Sequence, residues 1–313
     1  MTTKKTIRGL NIVLTGASSG IGKAIAVCLA QEGANLVLAA RRDAILQDVA
    51  SECEAHGGTA FAVKTDVTNF SDIQNLIETA LEHLGTIDVW INNAGVLAAG
   101  DFTDTPLEVH EQVIKVNLIG PLHGIYGILP YFKERNCGII INTVSLGAFI
   151  PNPYSVAYTA SKFGLRGMDE ALRCELGRHP EIHLCDVNPA FIDTPGISHA
   201  ANYTGAELVP VPPLYDPFQV AEAVKSLILN PRDSIMVGGS ARAGKFVHAL
   251  IPKILGTGMA KMAEAYFKKG KAANPTEGTL FSSAYTDHVA RGNRMKRPSL
   301  LKKLFTKKYA LDR

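Results

Sequence analysis

The chain is organised around NIVLTGASSGIG, residues 11–22. Its first five residues suit a short strand, and a glycine-rich turn then leads into an alanine-rich helix expected over residues 23–31. Glycines let a pyrophosphate approach the backbone, and the N–H groups and dipole at a helix N-terminus favour an anion. The spacing is GxxxGxG rather than GxGxxG, and glycine turns also follow strands for steric reasons alone. The stretch therefore predicts a dinucleotide-binding turn, with a structural turn as the alternative.

A second expected strand, residues 35–40, ends at Arg41 and Arg42. In nucleotide-binding folds of this kind the end of the second strand meets the adenosine ribose, where an acid suits a free 2′-hydroxyl and an arginine suits a 2′-phosphate. No acid follows Ala40, so the sequence favours NADP(H), bound by Arg41, over NAD(H). The alternative is a solvated arginine pair at the start of the next helix.

Strands and helices then alternate. A short strand at residues 60–63 precedes Asp66 and Val67, a strand at 87–91 follows the next helix, and a later helix contains Asn117. Alternation at this spacing is typical of right-handed βαβ units on a parallel sheet. The sequence therefore predicts an α/β fold whose polar loop residues gather at one edge of the sheet.

A third feature combines Ser145, Tyr158 and Lys162. Ser145 ends an apolar strand-like run, and Tyr158 and Lys162 are four residues apart, so on a helix they share one side. A hydroxyl, a phenol and an ammonium group around one point suit proton transfer at a carbonyl or an alcohol, because a nearby cation lowers the phenol pKa from about 10. Alone, the tyrosine and lysine fit an ordinary helix surface pair better, so the assignment depends on the cofactor motif.

Together these motifs resemble the short-chain dehydrogenases/reductases, over roughly residues 7–240 on our reading of the elements. The resemblance implies a Rossmann fold, a doubly wound seven-stranded parallel sheet with helices on both faces, and NAD(P)(H)-dependent oxidoreduction. The motifs that carry it, in order along the chain, are residues 15–22, Asp66, residues 92–95, Asn117, Ser145 and the Tyr158 to Lys162 pair.

The resemblance also implies a role for each catalytic candidate. Tyr158 is the acid/base, Lys162 lowers its pKa and binds the nicotinamide ribose, Ser145 polarises the substrate carbonyl, and Asn117 positions a water that links Lys162 to solvent. The implied cofactor contacts are Gly16, Ser18, Ser19, Gly20, Ile21, Gly22, Arg41, Asp66, Val67, Asn93, Ala94, Gly95, Tyr158, Lys162, Pro189, Ile192 and Thr194.

The loop after Pro189 departs from the family pattern, because Ala190 stands where the family usually has glycine. Ile192 and Thr194 are still expected to reach the nicotinamide carboxamide. Residues at about 195–216 occupy the place of the family's substrate lid. Tyr154, four residues before Tyr158, is interpreted as a buried structural tyrosine, with a place in the lining of the substrate pocket as the alternative. Apolar lid and loop residues favour an apolar substrate, namely Phe149, Phe191, Ile197 and Leu208.

We divide the chain into a catalytic domain, residues 1–243, and a helical, basic C-terminal extension, residues 244–313. Residues 246–267 carry an apolar helical stripe that we expect to break or kink at 256–258. Residues 291–313 carry nine Lys and Arg against one Asp. This basic arm is expected to dock on the protein or to be a frayed end, and peripheral contact with an anionic membrane is the alternative.

The amino-acid composition narrows the possible classes of protein further. Hydrophobic residues make up 46% and charged residues 19%, as in globular proteins. There is no apparent signal peptide or membrane-spanning stretch. The five cysteines lack metal-ligand spacing, and such a set is typical of a reducing compartment. We therefore expect a cytoplasmic, metal-free protein, with membrane association as the alternative. The net charge of +3 comes from the extension. No reading motif accompanies that charge, so we expect no nucleic-acid binding.

The predicted function is interconversion of a ketone or aldehyde and an alcohol, on a lipophilic substrate. The alternative is a non-catalytic NAD(P)-binding sensor or scaffold that uses the basic arm for interaction. The complete set of Asn117, Ser145, Tyr158 and Lys162 favours the enzyme. The family tends to pair the helices that hold Asn117 and Tyr158 with symmetry mates, so the resemblance implies a homo-oligomer, a dimer or tetramer.

Overall fold

The fold alternates strands and helices, as the sequence predicts. The computed structural model describes residues 6–210, 212–239, 251–282, 289–292 and 294. The strands are β1 (Asn11–Thr15), β2 (Asn35–Ala40), β3 (Thr59–Lys64), β4 (Val89–Asn92), β5 (Ala98–Gly100), β6 (Gly138–Thr143), β7 (Ile182–Pro189), β8 (Ala201–Tyr203) and β9 (Ser234–Val237). The helices are α1 (Gly20–Gln31), α2 (Asp43–Ala55), α3 (Phe70–Leu84), α4 (Leu107–Ile114), α5 (Gly120–Arg135), α6 (Val156–Leu176), α7 (Pro217–Leu229) and α8 (Pro252–Lys269).

Seven strands form one parallel sheet in the order β3-β2-β1-β4-β6-β7-β9. The strand order reverses at the β1/β4 boundary, and in sheets of this kind ligands bind outside the carboxyl ends of the strands at that boundary. The predicted doubly wound, seven-stranded Rossmann sheet is confirmed. The loops that follow β1, β2, β3, β4, β6 and β7 all emerge at this edge.

Helices cover both faces of the sheet, which explains why every residue of β1 is buried. Helices α1, α2 and α7 pack on one face through residues such as Ile25, Leu46 and Phe218. On the other face α3, α5 and α6 contribute apolar side chains such as Ile73 and Phe132. The two cores hold the sheet rigid and leave its carboxyl edge open for a site.

A second, two-stranded parallel sheet pairs β5 with β8. Ala98, Ala201 and Leu280 are buried together in a small apolar cluster there, so the C-terminal extension takes part in this sheet's packing. β8 lies inside the predicted lid, which is therefore partly regular. The extension is paired further by isolated bridges of Asn202 with Thr276 and of Ala206 with Ala272.

Helix α8 runs without interruption through Gly256 and Gly258, so the expected break is wrong. Leu255 and Met259 pack against an apolar cluster beside the sheet edge, and these contacts hold the helix across its glycines. The stripe residues 246–250 and the basic arm beyond residue 294 lie outside the described residues. Within the described part of the chain, no helix is long and apolar enough to cross a membrane.

Tyr154 is also placed differently from the expectation. Its side chain is partly exposed, its φ is +62°, and its hydroxyl donates to Glu264 Oε1 of α8 at 3.1 Å. Its ring meets Phe267 edge-on, with ring centroids 5.2 Å apart. Tyr154 therefore helps to dock α8 and is not a buried core residue.

Substitutions of two glycines, Gly138 and Gly167, test how tightly the core is packed. A methyl group on Gly138 would overlap the buried ring of Phe132, whereas nothing lies within 4 Å of a methyl group on Gly167 in α6. We expect Gly138→Ala to lower the free energy of unfolding by about 1–3 kcal/mol through overpacking. Gly167→Ala, as matched control, should raise it by about 0.5–1 kcal/mol because helical glycine is entropically costly. Urea unfolding measures both, and equal stability of Gly138→Ala and wild type would contradict the packing.

Candidate active site

A cavity of about 460 Å³ lies at the carboxyl edge of the sheet, over the β1/β4 boundary. It is lined by loops from six strands of the sheet and by Met259, Thr279 and Leu280 of the extension. Every residue that the sequence analysis assigned as a catalytic group or a cofactor contact lines this cavity, with the exception of Asn117. The motifs scattered over 180 residues of sequence are thus brought together at one place.

The glycine turn forms one end of the cavity. Gly16 and Gly20 have φ values of +67° and +57°, and a Cβ on Gly16 would lie 2.6 Å from Ala94 Cα. Ser19, the N-cap of α1, makes no side-chain capping bond, and the first turn of α1 holds no acid. The turn tolerates no side chain at Gly16, and the Gly20 N–H at this helix end donates to the Val289 carbonyl oxygen at 3.0 Å. The close backbone approach and the positive end of the α1 dipole fit a dinucleotide pyrophosphate.

Two arginines lie beside this turn. Arg41 donates to the carbonyl oxygens of Thr279 and Leu280, at 2.6 and 3.0 Å. Arg42, which the sequence analysis did not assign, donates to Ser18 Oγ at 3.0 Å and Ser19 Oγ at 3.2 Å. Burial and the neighbouring Arg41 lower the pKa of Arg42. The Arg42 guanidinium is thus in contact with the glycine turn. Its position directly after Arg41 is the sequence feature that could have identified it as a site residue.

Asn93 braces the edge of the cavity. Its Nδ2 donates to the carbonyl oxygens of Thr15 and Gly16, at 3.2 Å each, and its backbone N–H donates to Thr15 Oγ1 at 3.0 Å. At the other side, Asp66 Oδ1 accepts from the N–H and hydroxyl of Thr68, at 2.9 and 2.8 Å. Both polar side chains therefore also shape the loops that line the site.

Ser145, Tyr158 and Lys162 meet in the cavity as predicted. Ser145 Oγ accepts from the Gly147 N–H at 2.9 Å and hydrogen-bonds the Tyr158 hydroxyl. Lys162 is buried, its Nζ donates to the Thr143 carbonyl oxygen at 2.9 Å, and this nitrogen lies 5.9 Å from the Tyr158 ring centroid. The strand end β6 supplies the serine and helix α6 supplies the phenol and the amine.

Burial dominates the protonation of this trio. It raises the pKa of Tyr158 above its ordinary value, and the Ser145 hydrogen bond opposes this only in part. Burial lowers the pKa of Lys162 to about 8, against the opposing charge of Asp169. The sequence analysis expected Lys162 to lower the Tyr158 pKa, whereas in this structure desolvation of the phenol is the larger effect. The phenol is therefore held protonated at neutral pH.

Asn117 lies behind the cavity wall and is fully buried in a π-helical turn, Lys115–Ile119. Its Oδ1 accepts from the Val96 N–H at 2.8 Å, and its Nδ2 donates to the Val96 carbonyl at 2.9 Å and Ser161 Oγ at 3.3 Å. Through these bonds the Asn117 side chain links Val96, in the segment after β4, to Ser161 in α6. The water-positioning role of Asn117 stays a prediction.

A buried polar chain, which the sequence analysis missed, adjoins Lys162. Asn142 donates to Asp169 Oδ1 at 2.8 Å, and Asp186 pairs with Arg173 at 2.6 Å. Burial raises the pKa of both Asp169 and Asp186, and each carboxyl group affects the other. One proton shared by the pair relieves the repulsion of two buried carboxylates. The sequence feature that could have indicated this chain is the spacing of Lys162 and Asp169, which are seven residues, or two helical turns, apart in α6.

Apolar side chains line part of the cavity. Phe191 and Ile197 line it as expected, whereas Phe149 and Leu208 are not among its lining residues. Phe149 instead packs under the Arg166 guanidinium, 4.5 Å from its ring centroid. The sequence analysis missed other apolar lining residues, namely Val96, Leu146, Ile150 and Met259. Within the described residues, no cluster of three or more His, Cys, Asp or Glu side chains could hold a metal ion.

Comparison with known proteins gives concordant matches. The sequence profile of the short chain dehydrogenase family matches residues 10–202. The uncharacterized oxidoreductase YxnA of Bacillus subtilis (strain 168) is 31% identical over 283 residues, which is 90% of this chain and 80% of YxnA.

Solved structures match as well. A short chain dehydrogenase/reductase from Burkholderia phymatum in complex with NAD superposes with a TM-score of 0.72 at 26% identity, over 87% of this chain and 99% of that one. An alcohol dehydrogenase from Thermococcus sibiricus complexed with 5-hydroxy-NADP gives a TM-score of 0.63 at 27% identity, over 72% of this chain and 94% of that one.

The lowered pKa of Lys162 predicts a pH-dependent contribution to stability. Between about pH 8 and the ordinary lysine pKa of 10.5, the unfolded chain keeps the proton that the native chain has lost, so raising the pH across this window stabilises the native state. We expect wild type to gain about 2 kcal/mol over Lys162→Met between pH 7.5 and pH 10. Urea unfolding at several pH values measures this, and a constant difference between the two proteins would contradict it.

Proposed function

Because the chain belongs to the short chain dehydrogenase family, we propose that it is an NADP(H)-dependent oxidoreductase that interconverts a lipophilic ketone or aldehyde and the corresponding alcohol. The observation that carries this proposal is one cavity holding Ser145, Tyr158 and Lys162 at one end and the glycine turn with Arg41 and Arg42 at the other. We assign the catalytic domain to residues 1–243 and a C-terminal extension to 244–313.

In the proposed reaction the protein orients the substrate and moves a proton. A bound nicotinamide cofactor supplies the hydride. Tyr158 donates its hydroxyl proton to the substrate oxygen. A phenol carries this proton at neutral pH even at its ordinary pKa of about 10, and burial raises the pKa of Tyr158 further. Ser145 hydrogen-bonds the same oxygen and stabilises the charge that develops there. Lys162, fixed by the Thr143 carbonyl, provides a buried cation whose charge declines above about pH 8.

The cofactor preference rests on the charges beside the glycine turn. Arg41 and Arg42 both line the cavity, and no acid stands at the end of β2. Two guanidinium groups suit a 2′-phosphate, because charge-assisted hydrogen bonds to phosphate oxygens are strong. This supports NADP(H) over NAD(H), although the similar structures include complexes of both kinds.

The substrate class follows from the cavity lining. Leu146, Ile150, Phe191, Ile197 and Met259 present apolar groups near Ser145 and Tyr158. An apolar wall with a few convergent polar groups favours a lipophilic substrate with one carbonyl or hydroxyl group.

Exposed apolar groups support a homo-oligomer as a further part of the proposal. Helices α4, α5 and α6 carry exposed side chains that a second copy could cover, namely Leu107, Leu122, Tyr126, Val156 and Phe163. A cytoplasmic location, with peripheral membrane contact through the basic arm as the alternative, also belongs to the proposal. It rests on the sequence reasoning given above.

A non-catalytic NAD(P)-binding sensor is the rival. A sensor needs the glycine turn and the arginines, but it has no need for a phenol, a serine hydroxyl and a buried amine at one point. Turnover of NADPH with a panel of apolar ketones, aldehydes and quinones distinguishes the two.

Tyr158→Phe removes the proton donor and keeps the ring. We expect kcat to fall by at least about 100-fold, because general acid catalysis contributes that much or more, while NADPH affinity stays close to wild type. Steady-state kinetics and NADPH fluorescence titration measure the two quantities. Tyr154→Phe is the matched control, since Tyr154 lies outside the cavity lining, and it should keep wild-type turnover. Full turnover of Tyr158→Phe would refute the assigned role.

The arginines give a separate prediction about cofactor preference. Arg41→Ala and Arg42→Ala should each lower the preference for NADPH over NADH about tenfold, the value of one charge-assisted hydrogen bond to the 2′-phosphate. Titration of each variant with both cofactors measures the preference ratio. Wild type that binds NADH as tightly as NADPH, or a preference that neither substitution alters, would overturn the NADP(H) assignment.

A further inference from the structure

Gly292 and Arg294 of the C-terminal extension contact the loop that carries Thr194. The Gly292 N–H donates to the Asp193 carbonyl oxygen at 2.9 Å, and the Arg294 N–H donates to Asp193 Oδ2 at 2.9 Å. The Arg294 guanidinium donates to the Thr194 carbonyl at 3.0 Å and to Ser198 Oγ at 3.2 Å. Arg294 therefore hydrogen-bonds this loop at three residues, Asp193, Thr194 and Ser198.

The loop so held forms part of the cofactor cavity. Thr194 lines the cavity, and its Cβ would lie 3.4 Å from a Cβ built on Gly20. Val289 of the same C-terminal stretch accepts a hydrogen bond from the Gly20 N–H at 3.0 Å. The stretch thus contacts both the glycine turn and the loop opposite it, while Arg291 and Arg294 do not line the cavity.

A buried ion pair anchors the stretch. Arg291 Nε donates to Asp216 Oδ2 at 3.1 Å, and both side chains are 6% exposed. The Arg291 guanidinium also lies 4.5 Å from the Phe218 ring centroid, and Asp216 caps α7 by accepting from the Phe218 N–H. Breaking one partner of a buried pair leaves an uncompensated charge, so this anchor holds the stretch firmly at the start of α7.

We propose that Arg294 is a positioning residue for the cofactor site, holding the loop of residues 193–198 so that Thr194 faces the glycine turn. The inference rests on the proposed function. The sequence analysis expects Thr194 to reach the nicotinamide carboxamide, a group that NADPH and NADH share. Arg294 should therefore affect the binding of both cofactors alike. A purely structural role would change stability without a selective effect on cofactor binding.

The test uses the full chain and measures dissociation constants for NADPH and NADH by fluorescence titration, with the thermal unfolding midpoint recorded for each variant. Arg294→Ala should raise both constants about tenfold and by equal factors, since it removes charge-assisted bonds to the loop. Arg294→Lys, which keeps the charge and one donor position, should recover part of the loss. The unfolding midpoint should stay near wild type because Arg294 is exposed.

Arg178→Ala serves as the matched control, because Arg178 is exposed beyond the end of α6 and lies outside the cavity lining. The inference is overturned by wild-type binding in Arg294→Ala, by an equal loss in Arg178→Ala, or by a loss confined to NADPH. A wild-type chain that binds neither cofactor would contradict the proposed function itself. Wild-type binding with an unaffected Arg294→Ala would contradict only the positioning role.

Discussion

The site depends on the hydrogen bonds that join the ends of β1 and β4. Asn93 bonds the carbonyl oxygens of Thr15 and Gly16, and Thr15 Oγ1 accepts from the N–H groups of Asn93 and Ala94 at 3.0 and 3.3 Å. These bonds set the width of the crevice where the strand order reverses, and they require the close approach that only glycine permits at position 16. The positions of the glycine turn and of the start of α1 at the cavity depend on this junction.

Burial then determines the chemistry at the other end of the cavity. The phenol of Tyr158 and the amine of Lys162 are both shifted toward their neutral forms by loss of water. Asp169 opposes the shift of Lys162 from two helical turns away, and its own carboxyl is held by Asn142 and coupled to Asp186. The protonation of the trio is therefore controlled by the core of the sheet as much as by contacts inside the cavity.

The features of the site that the sequence predicts are those formed by residues close together in the chain. The glycine turn and the Tyr158 to Lys162 spacing are set within one element, so their positions follow once the βαβ order is recognised. Partners far apart in sequence were not predicted, such as Arg291 with Asp216 and Arg42 with Ser18. The continuity of α8 also depends on tertiary packing of Leu255 and Met259, which outweighs the low helix propensity of its glycines.

Transfer of isotope from cofactor to substrate tests the central claim most directly. The protein would be incubated with NADPH carrying deuterium at both positions on C4 of the nicotinamide and with an apolar prochiral ketone. The alcohol would then be analysed by mass spectrometry and NMR. A proton-donating Tyr158 beside a nicotinamide predicts deuterium on the carbinol carbon and a hydroxyl proton from solvent. Consumption of no NADPH across a broad panel of apolar carbonyl compounds, or product without deuterium at that carbon, would contradict it.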